Sequence, residues 1–127
     1  MNSEKLAKED VRRIVAAWVN DASENSPPDS YYGKRQVHRY VWPAAIEVVL
    51  NRGQSDEQQF YVTGQDVSEE GMGLFGRHKL PRGTAIWLRY ADEGNDSPWL
   101  PALVVHSTQS VGGFRTGVHF ITDQAEQ

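Results

Sequence analysis

Six short segments with strand texture follow one another between Tyr40 and Ile121. They are AAIEVVLN (residues 44–51), QQFYVTGQDVS (58–68), MGLFG (72–76), TAIWLRY (84–90), WLPALVVHSTQ (99–109) and FRTGVHFI (114–121). Each is rich in β-branched or aromatic residues, and several alternate apolar with polar positions. Between them stand turn formers: NRGQSDE, KLPRGT, ADEGNDSP and SVGG. In KLPRGT, Pro81 fixes φ and Gly83 can supply a positive φ. No strand–helix alternation and no internal repeat occurs. Short strands at regular spacing with turn signals predict an all-β core, a closed antiparallel barrel of six strands.

Ahead of the strands, SEKLAKEDVRRIVAAWVN (residues 3–20) places Leu6, Val11, Ile14, Val15, Trp18 and Val19 on one helical stripe. Ser3 is the expected N-cap, with Glu4 at the positive end of the helix dipole. Asn20-Asp21 is the expected stop. DASENSPPDS follows as a polar linker with a proline pair. The expected division is an N-terminal helix and linker over 1–30, a barrel domain over 31–121, and a tail over 122–127. The helix has two readings. It packs on the barrel or covers its open end, or it is a docking surface for a partner or a second copy, and a homodimer falls under the latter.

The chain has 127 residues, enough for one domain with a real core. It carries a net charge of −4, whereas a general polyanion binder would be basic overall. DNA and RNA are therefore not expected partners, although a local anion site remains open. Cysteine is absent, so no disulfide, thiolate metal site or cysteine nucleophile can form. The N-terminus lacks the apolar run of a signal peptide, and no segment approaches the roughly 20 apolar residues of a membrane span. A cytoplasmic protein without membrane insertion is expected. His38, His78, His106 and His119 show no metal-ligand spacing, and Ser68 lacks a nucleophile elbow. The expectation is no metal, no cofactor, no catalytic residue and no enzyme activity.

Two patterns carry chemistry. YYGKRQVHRY (residues 31–40) holds Lys34, Arg35, His38 and Arg39, the densest basic cluster in an acidic chain. A basic loop can simply be a solvated surface. Two arginines four apart can also fork onto phosphate oxygens or a guanine edge. The second pattern is GQDVSEEGMGLFG (residues 64–76). If residues 66–68 are extended, Asp66 and Ser68 share one face and Val67 turns to the core. A carboxylate can accept the two N–H groups of a guanine edge, with a serine hydroxyl beside it. Gly71 would allow a bend or a close approach. The alternative is a plain Asx or Ser turn between two strands. Trp42 and Trp87 read as core or barrel-mouth packing, with Trp42-Pro43 shaping the entry to the first strand.

The order Arg35-x-x-x-Arg39, two strands, then Asp66-x-Ser68-x-x-Gly71 resembles the PilZ-domain family of bacterial cyclic di-GMP receptors. LPRGTAIWLRY and the closing GVHF (residues 117–120) extend the resemblance over about residues 34 to 121. It implies a PilZ-like split barrel with an arginine loop wrapped over a ligand on the barrel face. Arg35 and Arg39 would grip phosphate and guanine, Asp66 and Ser68 would read a guanine edge, and Gly71 would keep the surface open. Lys34 holds the position that the family associates with one bound ligand or a stacked pair, where arginine is usual. The implied function is a cyclic di-GMP receptor that signals by a ligand-induced change to a partner protein. The alternatives are a PilZ-like interaction module that does not bind nucleotide, and an oligonucleotide-binding barrel. The latter fits poorly with an acidic chain that has no aromatics interleaved with its basic cluster.

Overall fold

The computed structural model describes residues 8–25, 39–92 and 98–122. One helix, α1 (Lys8–Asn25), precedes seven strands: β1 (Tyr40–Val41), β2 (Ala45–Leu50), β3 (Gln58–Val67), β4 (Gly71–Gly76), β5 (Ala85–Tyr90), β6 (Leu100–Ser110) and β7 (Gly113–Phe120). All pairings are antiparallel. The order β3-β2-β5-β6-β7-β4 closes on itself through a β3–β4 pairing, giving a six-stranded barrel. The two-residue β1 is an extra strand that extends the β2 edge of β3, with Tyr40 opposite Val67 and Val41 opposite Asp66. The six expected strands are thus the six of the barrel.

The core follows from period-two alternation. Ile46 and Val48 on β2, Ile86 and Leu88 on β5, and Leu100, Ala102 and Val104 on β6 all point inward and are essentially inaccessible. Gly83 takes the expected positive φ, at 86°, in the turn between β4 and β5. In that turn Thr84 N–H donates to the Pro81 carbonyl at 3.2 Å.

Helix α1 closes one end of the barrel. Val11, Val15, Trp18 and Ala22 recur at helical spacing and are all buried in the common core. The Trp18 ring lies 5.5 Å from Trp42 and meets Phe120 edge-on at 6.0 Å. Trp42, itself 5.1 Å from Tyr90, donates its indole N–H to Asp21 Oδ2 at 2.8 Å. Packing is therefore the reading of α1 that the contacts support. The helix does not stop at Asn20-Asp21 but runs on to Asn25. Burial of Ala22 and the bond from Trp42 to Asp21 outweigh the weak helix propensity of Asn and Asp. The expected N-cap Ser3 and the linker's proline pair lie outside the described residues.

On the far side of the barrel, Glu47 of β2 is buried although it faces outward. Arg89 on neighbouring β5 donates to its Oε1 from both Nε (3.1 Å) and NH2 (2.7 Å). Gln59 of β3 donates to Oε2. The Arg89 guanidinium lies 4.3 Å from the Trp99 ring, and Arg52 lies 4.7 Å from Trp87. Trp87 thus packs on the outer wall rather than in the core.

Candidate functional site

The strand β3 carries a bulge between Gly64 and Asp66, where Gln65 has no partner in β4. The bulge changes which residues face the core. Val62 and Gly64 are buried, and strict alternation would send Asp66 inward next. After the extra residue it is Val67 that is buried, while Asp66 is partly exposed on the outer wall. A second bulge on β6, between Val104 and His106, does the same. Val104 is buried, yet His106 emerges on the outside opposite Gly117 of β7. Two bulges on strands flanking the β4–β7 pair thus turn a carboxylate and an imidazole onto one face.

Asp66 is held from two directions. Arg39, immediately before β1, donates from NH2 to Asp66 Oδ1 at 2.5 Å. The backbone N–H of Gly73, opposite Asp66 in β4, donates to the same oxygen at 3.0 Å. Arg39 and Asp66 keep side-chain exposures of 31% and 28%, so the pair is open to solvent and to a ligand. Arg39 Nε is buried and has no hydrogen-bond partner among the described residues.

Ser68 does not share a strand face with Asp66, because β3 ends at Val67. Its buried hydroxyl accepts from the N–H groups of Glu70 (3.2 Å) and Gly71 (3.3 Å) and faces the Gly71 carbonyl at 3.4 Å. That carbonyl accepts the Ser68 N–H at 2.9 Å. Locally this is a serine turn, and it joins β3 to β4. Gly71 opens β4 against β7 so closely that a Cβ there would stand 2.0 Å from the Val118 carbonyl oxygen. The missing side chain is thus a requirement of the barrel wall, whatever else it serves.

Arg39, Ser68, Gly71, His106 and His119 line a cleft of about 240 Å³ across β4, β7 and β6. Of the six expected site residues, Arg39, Ser68 and Gly71 line this cleft, and Asp66 joins them through its contact with Arg39. Lys34 and Arg35, with His38, lie outside the described residues. His106, His119 and Gly73 were not anticipated as site residues. The signal for His106 lay in the broken alternation of LPALVVHST, which demands a bulge if both Val104 and Thr116-facing Ser107 are to turn inward. Among the described residues no cluster of His, Asp or Glu could hold a metal, and no helix is long and apolar enough to cross a membrane.

A closed antiparallel barrel whose outer wall presents an arginine, a carboxylate and a cleft lined in part by glycines defines a small β-barrel domain with a candidate site on that wall. The chain belongs to the PilZ-domain family, which it matches over residues 33–127. That domain is a ligand-binding and adaptor module known for cyclic di-GMP rather than a catalytic one. No curated protein matches the chain.

Proposed function

We propose that the protein is a cyclic di-GMP receptor that passes a ligand-induced change to a partner protein. The observation that carries the reading is the Arg39–Asp66 pair at the rim of the barrel face, 2.5 Å apart and partly open to solvent. A cyclic dinucleotide presents two phosphates and two flat purines. Arg39, with Lys34 and Arg35 on the preceding segment, supplies fixed positive charge and planar surfaces for phosphate and purine. Asp66 has one carboxylate oxygen engaged by Arg39 and Gly73, and in this reading the other accepts from a guanine edge. Ser68 and Gly71 shape the turn beneath the ligand.

A route to a partner is also at hand. The turn that carries Ser68 and Gly71 forms one wall of a groove of about 550 Å³, and the other wall is α1. Glu70 borders both the groove and the ligand cleft, and its carbonyl accepts the Phe120 N–H at 2.9 Å. A ligand that moves this turn reshapes the surface beside α1.

The site assignment is tested with Arg35→Ala, Arg39→Ala and Asp66→Ala in ligand titrations. Loss of a charge-assisted contact is worth about 1.5–3 kcal/mol, so each variant should bind cyclic di-GMP at least about tenfold more weakly. Folded variants that all bind like the parent protein refute the site.

A further inference from the structure

The role of Gly73 follows from three observations around one carboxylate oxygen. Gly73 lies outside the arginine and Asp-x-Ser-x-x-Gly patterns. Its N–H donates to Asp66 Oδ1 at 3.0 Å, the atom that also receives Arg39 at 2.5 Å. A Cβ built on Gly73 would stand 3.0 Å from that oxygen and 3.6–3.7 Å from the rest of the carboxylate. Gly73 therefore both binds the carboxylate and leaves it room. The Arg39 guanidinium reaches Asp66 through NH2, and among the described residues its buried Nε has no hydrogen-bond partner. Its main chain leads directly into the two-residue β1.

We infer that Gly73 is a positioning residue: through Asp66 it sets where the Arg39 guanidinium stands, and hence how well that arginine meets the ligand. The inference rests on the receptor reading above for its effect on binding, but the Gly73–Asp66–Arg39 relay exists without ligand. A side chain at Gly73 displaces the Asp66 carboxylate and, with it, the arginine. Asp66 then has two duties, one oxygen for the relay and one for the ligand.

The relay is tested by a double-mutant cycle on cyclic di-GMP affinity, using Gly73→Ala and Asp66→Ala singly and together. Residues that share one network are non-additive. Gly73→Ala alone should weaken binding about fivefold or more, yet change it by less than about twofold in the Asp66→Ala background. An equal loss in both backgrounds would mean that the added methyl meets the ligand directly, and it overturns the relay. Unchanged affinity on Gly73→Ala overturns it as well.

A second measurement needs no ligand. In nitrogen–proton spectra of the full chain, the Arg39 Nη–H signal that is bonded to Asp66 should be resolved and slow to exchange in the parent. It should broaden or be lost in both Gly73→Ala and Asp66→Ala. A signal that is indifferent to both substitutions sinks the inference even if cyclic di-GMP binds. Failure of the parent protein to bind, with the signal behaving as expected, counts against the receptor reading and leaves the relay standing.

Discussion

At the scale of single residues, the barrel and the cleft compete for the same positions. Gly71 stands where a ligand would need a small residue, yet the Val118 carbonyl alone already excludes a side chain there. Gly71→Ala must push β4 away from β7, and overpacking of this kind destabilises by about 3 kcal/mol. Chemical denaturation should show that loss with no ligand present. A variant as stable as the parent would mean that the strands separate freely, and the glycine would then be explained by the ligand alone. This dual role could not be read from the chain, because the clash comes from β7, some forty-seven positions on from Gly71 to Val118. Ser68 was legible as either a ligand group or a turn former, and its hydrogen bonds are those of a turn. Asp66 was legible as a carboxylate out of place in a strand. Its partner in Gly73 was not, since that pairing depends on register.

At the scale of elements, the segments with clean alternation were the legible ones. All six barrel strands lie in the segments bounded by turn formers, and several of these alternate apolar with polar residues. β1 escaped notice because two residues carry no period. The bulges escaped notice for a related reason: each inverts the inside–outside parity within a strand, so strict alternation carried on from Val62 or Val104 would turn Asp66 or His106 inward, although Asp66 and Val67 taken by themselves face as expected. The helix stripe was legible over Val11, Val15 and Trp18, but its last turn depends on contacts with Trp42 that only the tertiary fold provides. Trp18 is the main link between helix and barrel, 3% exposed and packed on both Trp42 and Phe120. Trp18→Ala should therefore lower stability by about 3–5 kcal/mol, read as a shift of the denaturation midpoint. A loss under about 1 kcal/mol would show that α1 is an appendage rather than part of the core.

At the scale of the whole molecule, the two sides of the barrel do different work. The β2–β5 side is tied together by the buried Glu47–Arg89 pair and the arginines stacked on Trp87 and Trp99. The opposite side, β3–β4–β7–β6, carries glycines, the Arg39–Asp66 pair and two outward-facing histidines. The proposed receptor function belongs to this second side, and α1 lies beside the turn at its edge. The most direct measurement is calorimetric titration of the full chain with cyclic di-GMP, with GTP and cyclic di-AMP as controls. Selective, saturable binding of cyclic di-GMP is the predicted result, and its stoichiometry would show whether Lys34 accompanies one ligand or two. No heat and no thermal shift in a folded sample would contradict the receptor function and leave a barrel that works as an interaction module without nucleotide.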